Sequence, residues 1–217
     1  EMGMGSVTEE IYYLLYMAYK GNKDNDPESL QKAKGYLEKG FGMYPNSNKI
    51  LESLTELYPQ IGEDPRKIMT AVEDAVRSNP DDADMWGSLG VLYAMIGDTD
   101  KAIETFKRQV VHNPDSYSAT NTIGVMDIQK ADAIMAEING QINSYAGQEE
   151  YDAAMMSVYN LYSEAVPYLE EAHRIFPTNV GTVELLKQVT FRVRDFDGMQ
   201  AKYDQYNALL NQMLGRQ

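Results

Sequence analysis

The sequence predicts an all-α solenoid of stacked helical hairpins, and three observations carry that prediction. Pro45, Pro80 and Pro114 recur at intervals of 35 and 34 residues, each closing a helical pattern. Within the third interval, Trp86, Leu89, Gly90 and Tyr93 share one helical face, Gly97-Asp98 breaks the helix, and Ala102 and Phe106 mark a second one. Beyond Pro114, apolar residues recur at alternating steps of three and four over two long stretches, the spacing of packed helices.

The elements follow in order. Glu1–Val7 is rich in glycine and methionine and reads as irregular chain. Thr8 is placed to cap a helix whose first turn carries Glu9 and Glu10. The helix itself, Ile11–Lys20, has almost no polar face. A helix that is apolar all round needs cover on more than one side. It therefore predicts further repeats before Glu1, the chain being a piece of a longer precursor, or else self-association through helix 11–20. Tyr12, Tyr13, Tyr16 and Tyr19 exceed what one packed face needs, and some of them are expected to reach a partner or the missing repeat.

Asp26-Pro27-Glu28 starts the second helix with a capping acid, a proline at the first helical position and a further acid. Leu30, Ala33, Leu37 and Phe41 bury it, and Pro45 ends it. Asn46–Tyr58 supplies the next helix through Leu51, Leu54 and Tyr58. Asp64-Pro65 repeats the cap-and-proline start, and Ile68, Val72 and Ala75 face inward before Pro80. The repeats thus span about 7–45, 46–80, 81–114, 115–177 and 178–214.

The fourth repeat is elongated. Pro114 and Pro177 lie 63 residues apart, and the extra chain is helical rather than loop-like. Ile128, Ala131, Met135, Ile138, Ile142 and Tyr145 form one seam; Tyr151, Met155, Val158, Tyr162, Ala165, Leu169, Ala172 and Phe176 form the other. The two arms predict an antiparallel hairpin projecting about 20 Å past its neighbours, with its turn near Ser144–Gln148. Pro167 is expected to bend the second arm, or restart it, near Ser163. Thr178–Arg194 and a helix carrying Met199, Tyr203 and Tyr206 close the array, and the polar residues Asn207, Asn211 and Gln212 suit an outer cap.

Trp86, Leu89, Gly90, Tyr93, Ala102, Phe106 and Pro114 match W-x2-L-G-x2-Y…A-x3-F…P, and the chain resembles the tetratricopeptide (TPR) repeat proteins. Gln109 departs from the pattern, standing where a small residue is usual. The resemblance implies a right-handed superhelical solenoid. Gly90 and Ala102 would let paired helices approach, and Trp86, Tyr93 and Phe106 would fill the space around them. The second half is further similar to a bacterial envelope-associated TPR family with one elongated repeat. Ala165, Pro167, Tyr168, Leu169, Glu170, Ala172 and Pro177, then Thr182, Leu186, Lys187 and Arg192, carry that likeness from about Met43 to Leu214. Asp127 departs from it, standing where tyrosine is expected. The likeness implies a periplasmic or cell-envelope location and no reaction.

In such arrays the first helix of each pair lines a concave groove through repeat positions 2, 5, 9, 12 and 13. Counting from Trp86 as position 4 gives Asp84, Gly87, Val91, Ala94 and Met95. The elongated repeat gives Ser118, Asn121, Val125, Ile128 and Gln129, and the last gives Gly181, Glu184, Gln188, Phe191 and Arg192. Gly87 and Val91 replace the lysine and asparagine of TPR proteins that hold a partner's C-terminal carboxylate, so an apolar helix or extended peptide suits this groove better.

Composition narrows the function. A formal net charge of −14 disfavours nucleic acid and anionic membrane surfaces as partners. With no cysteine there is no disulfide, thiolate metal site or cysteine nucleophile. No apolar run reaches the ~20 residues that span a bilayer. His112 and His173 are spaced for no metal motif, and the acids at Asp24–Asp26 and Asp81–Asp84 lack the glycine of a calcium loop, so helix capping accounts for them. No nucleophile elbow, phosphate loop or dinucleotide fingerprint is present. The reading is a non-catalytic scaffold without cofactor or metal, binding a protein or peptide in the groove or along the hairpin. The alternative is a glycan- or small-ligand-binding component of a bacterial surface uptake system.

Overall fold

Four of the five repeats begin where a short polar side chain caps the first helix. Ser47 Oγ accepts from Ile50 N at 3.4 Å, Asp82 Oδ1 from Met85 N at 3.0 Å, Ser116 Oγ from Ala119 N at 3.3 Å, and Asn179 Oδ1 from Thr182 N at 3.0 Å. Proline stops one helix and the cap satisfies the orphan donors of the next. The computed structural model describes residues 8–23, 26, 28–44, 47–142 and 145–215. The readings of Glu1–Val7, Asp24, Pro27, Pro45, Asn46 and Ser144 lie outside the described residues.

Ten helices and no strand are found among the described residues. They are α1 (Glu9–Gly21), α2 (Ser29–Met43), α3 (Asn48–Ile61), α4 (Arg66–Ser78), α5 (Ala83–Met95) and α6 (Thr99–His112) in one unit. In the other they are α7 (Tyr117–Gly140), α8 (Gln148–Ile175), α9 (Val180–Arg192) and α10 (Met199–Met213). Thr8 stands at the N-terminus of α1, but its side chain makes no capping bond. Gly62, Gly97 and Gly198 turn the chain inside three pairs at φ of 69°, 81° and 74°, the left-handed region that a Cβ disfavours.

In the first unit α1 packs on α2, α3 on α4 and α5 on α6, and successive pairs stack through α2–α3 and α4–α5. Leu37, Leu51, Leu54, Leu57, Val72 and Leu92 are fully buried between them. A tie repeats along the stack: Tyr58 OH donates to Glu38 at 3.4 Å, and Tyr93 OH donates to Glu73 at 2.9 Å, each across twenty residues. Burial and then Glu38 push the Tyr58 hydroxyl up to about 12. Two of the α1 tyrosines are engaged within the fold. Tyr16 is buried and donates to Glu56 at 2.9 Å, and Tyr19 stacks on Tyr36 with centroids 5.4 Å apart. The uncovered residues are aliphatic: Ile11, Leu14 and Met17.

In the second unit α7 and α8 have 24 and 28 residues, against 13–15 for the other helices, so both arms of the fourth pair are lengthened. Ala131, Ile138, Met155, Val158, Tyr162, Ala165 and Leu169 are buried along their seam. Ile142 departs from the predicted seam, being 53% exposed, while Tyr145 and Tyr151 meet edge to face at 5.8 Å near the tip. Pro167 does not restart the helix, since α8 is unbroken from Gln148 to Ile175. Pro167 lies on the exposed side, where water can serve the carbonyl it leaves unpaired. Asp127, in place of the usual tyrosine, is buried in α7 at 2% exposure.

Small residues sit under large ones inside pairs. A Cβ on Gly90 would lie 2.9 Å from the Phe106 ring, and one on Gly124 would lie 2.6 Å from Leu169 Cγ. The departure at Gln109 is matched by Gly87: a Cβ there would lie 2.7 Å from the Gln109 amide nitrogen. A large residue where a small one is usual has been given a glycine to lie against.

Candidate functional site

One concavity in the first unit lies across the first helices of three successive pairs. Tyr13, Tyr16 and Met17 come from α1, Lys49, Glu52, Ser53 and Glu56 from α3, and Asp84 from α5, around an open cleft of about 400 Å³. Lys49 bonds Glu10 at 2.8 Å and lies 4.6 Å from the centroid of the Tyr13 ring. Glu56 pairs with Lys20 and accepts from Tyr16, and the Lys20 bond holds its carboxyl below the usual range. Glu52 is different. Burial pushes its carboxyl up, and the neighbouring Asp84 and Asp82 push it further. The cleft thus has an aromatic and thioether wall, one lysine and three carboxylates, an environment favouring a positive charge.

A carboxyl raised in the folded state binds its proton more tightly there than in the unfolded chain, so its cost to stability appears as pH rises through the unfolded and then the folded pKa. Glu52→Gln is therefore expected to raise the thermal midpoint near pH 7 and to leave it unchanged near pH 4, below the unfolded value. Thermal unfolding at the two pH values reads the difference; an equal gain at both would mean the effect is not ionic.

A second cleft opens on the other side of α5, between α4 and α6. Trp86, Leu89 and Tyr93 floor it, with Val76, Arg77 and Pro80 along one wall, in about 410 Å³, and Lys101 and Arg108 border the adjoining 270 Å³. Trp86, expected to fill the space between helices, is only half-buried here, and its indole N–H donates to the Pro80 carbonyl at 2.7 Å.

No sequence model of a known family matches the chain, and no curated protein matches it in sequence. Solved structures do match. A crystal structure of MamA superposes with a TM-score of 0.63 at 16% identity, covering 94% of this chain and 91% of that one. MamA from Desulfovibrio magneticus RS-1 gives 0.57 at 13% identity over 91% and 94%. YrrB, described as a TPR protein with an unusual peptide-binding site, gives 0.58 at 11% identity over 93% and 84%. The fold is the tetratricopeptide-repeat fold. At these identities the likeness is one of fold.

The TPR numbering explains which residues line the first cleft. Tyr58 holds position 11, which makes Lys49, Glu52 and Glu56 positions 2, 5 and 9 of the second repeat; Tyr13 and Met17 are positions 5 and 9 of the first. Counting from Trp86 reached Asp84 and stopped one repeat short of these residues. Val91 and Met95 lie on the same side of α5 as Asp84, with Val91 38% exposed. Ala94 is exposed at the edge of that side, and Gly87 is buried against Gln109 rather than open to a ligand.

In the second unit, Ser118, Gln129, Glu184 and Gln188 are exposed, and Val125 and Ile128 are partly buried. Two of the predicted residues are tied into the fold. Asn121 Oδ1 accepts from Thr182 Oγ1 at 3.1 Å, and Thr182 Oγ1 also meets Tyr117 OH at 2.9 Å. Arg192 pairs with Asp132, donates to Tyr162 OH and lies 4.7 Å from the centroid of its ring. Phe191, 46% exposed, has Arg194 against its ring at 4.1 Å and Tyr203 at 5.2 Å. His112 Nδ1 lies 3.6 Å from Asp81, and His173 meets Tyr206 edge to face. Among the described residues no three or more His, Asp or Glu side chains are grouped to hold a metal ion, and no helix is long and apolar enough to cross a membrane.

Proposed function

We propose that the chain is a non-catalytic scaffold that binds a polypeptide in the cleft of its first unit, across α1, α3 and α5. One observation carries the reading: the groove positions of three consecutive first helices converge on a single cleft with an apolar wall and three carboxylates against one lysine. Such a surface suits an extended or helical segment that lays apolar anchors on Tyr13, Met17 and Val91 and a lysine or arginine against Glu52. The peptide-binding site described for YrrB, on the same fold, supports a peptide as ligand. The resemblance of the second half to an envelope-associated family supports a periplasmic or cell-envelope location in a bacterium. The Trp86–Tyr93 cleft favours the second reading, a glycan or small ligand stacked on an aromatic floor.

Peptides selected on the intact chain from a random displayed library are the test. The selected set should be enriched in basic residues flanked by apolar ones. Glu52→Ala should weaken the best binder about tenfold or more, and Val91→Glu should act in the same direction. Binders indifferent to both substitutions would remove this cleft from consideration.

A further inference from the structure

The two sides of α5 differ in charge. On the side of the first cleft, Lys49 faces Glu52, Glu56 and Asp84, whereas the second cleft is bordered by Arg77, Lys101 and Arg108 against Glu73 and Glu104. Those three bases are not equally available. Lys101 pairs with Asp98 at 3.1 Å and lies 5.2 Å from the centroid of the Tyr93 ring, so it is engaged. Arg77 pairs with Asp74 at 3.0 Å, but the two are three residues apart on one helix and both side chains are more than half exposed, a pairing that gains little and opens readily. Arg108 is exposed and pairs with no acid among the described residues. Of the two acids, Glu73 is occupied by the Tyr93 hydroxyl.

The helix directions place these groups. Glu73 and Lys101 both meet Tyr93, and α4 and α6 run antiparallel to α5. One turn beyond Glu73 and two turns beyond Lys101, Arg77 and Arg108 therefore stand at the Trp86 end, on either side of the indole. The Pro80 carbonyl holds the indole N–H and so fixes the ring. Tyr93 lies two turns further along α5, about 10 Å away. An aromatic ring takes the apolar face of a sugar, and an arginine takes a carboxylate through paired N–H donors. Two rings in series, beside adjoining spaces of about 410 and 270 Å³, suit sugar units joined in a chain better than one flat aromatic acid. A short acidic chain meets these local bases, since charges more than about 8 Å away are largely screened at physiological salt. We propose that the cleft between α4 and α6 binds an acidic oligosaccharide, a run of uronic-acid units with one ring on Trp86 and carboxylates reaching Arg77 and Arg108. The inference rests on the second reading above, a glycan on that aromatic floor, and adds the charge of the glycan; it is independent of the peptide cleft.

The chain carries its own reporter, because its single tryptophan lies in this cleft. Titration of the intact chain with oligogalacturonic acid should shift the Trp86 fluorescence with a dissociation constant of about 1 mM or tighter. A neutral malto-oligosaccharide of the same length should bind about tenfold more weakly or worse. Arg108→Ala, a change at an exposed position, should weaken oligogalacturonate binding about fivefold or more with helicity and thermal midpoint unchanged, and Arg77→Ala should act in the same direction. Equal binding of the acidic and neutral oligomers would leave a glycan in the cleft and overturn its acidic character. A response to oligogalacturonate that both arginine substitutions leave unchanged would also overturn the proposal, as would a response to indole-3-acetate and to neither oligomer. Silence toward all three ligands would overturn the proposal together with the second reading.

Discussion

Truncating Tyr162 to alanine is expected to cost about 3–5 kcal/mol of stability, the largest single-residue effect in the molecule. The ring is 1% exposed at the centre of the α7–α8 seam, and its hydroxyl donates to Asp132 while Arg192 donates to it from α9. Truncation removes the buried ring and opens a cavity. It also strips Arg192 of its ring contact and one of its acceptors. Tyr162→Phe separates the contributions, keeping the packing and losing only the hydroxyl, at about 1 kcal/mol. The hydroxyl is pushed up to about 12, first by burial and then by Asp132, so it stays protonated through the neutral range. Urea unfolding followed by far-ultraviolet circular dichroism measures both variants. If Tyr162→Ala and Tyr162→Phe cost the same, the ring does not hold the arms together.

The second large effect is a contrast between two glycines. Gly124→Ala should lose about 1–2 kcal/mol net, because its Cβ would lie 2.6 Å from Leu169 Cγ and 3.3 Å from the Ala165 carbonyl oxygen. Neither atom is the free end of a side chain, so α7 and α8 must separate. That cost exceeds the gain of somewhat under 1 kcal/mol from a better helix former. At Gly87 the atom met is the amide of Gln109, which can swing aside, so Gly87→Ala should be neutral or slightly stabilising. The same measurement reads both; losses of equal size would mean that Gln109 is as rigidly seated as Leu169.

Much of the fold was legible because its spacing has mechanical causes. The closing prolines, the Leu89–Gly90–Tyr93 face and the steps of three and four in both arms each name a packing requirement, and the helices fall where these put them. Capping by the acids at Asp81–Asp84 was legible too, and Asp82 does cap α5, whereas the capping roles of Ser47, Ser116 and Asn179 appear only in the hydrogen bonds. Trp86 was harder. Its pattern position implies burial, but the width of the gap between α4 and α6 decides that, and no local signal encodes it.

The site was only partly legible for two reasons. The second repeat lacks the tryptophan and glycine that anchor the numbering, so Lys49, Glu52 and Glu56 stayed hidden unless Tyr58 was taken as the reference. In the second unit the numbering assumes helices of ordinary length. The partner of Arg192 is Asp132, in the elongated part of α7, a place that a repeat of 34 residues does not number. A residue assigned to a groove was therefore consumed by a tie that only the elongation makes possible.

The most direct measurement of where a partner binds uses probes already in the chain. Methyl-labelled methionine gives a signal from Met17 in the first cleft and from Met156 on the exposed side of the hairpin, and the single tryptophan gives an indole N–H signal from Trp86 in the second cleft. On titration with a selected basic peptide, the Met17 signal should move first and furthest while Met156 and Trp86 stay in place. Movement of Trp86 or Met156 with Met17 unmoved would contradict the assignment of binding to the cleft across α1, α3 and α5.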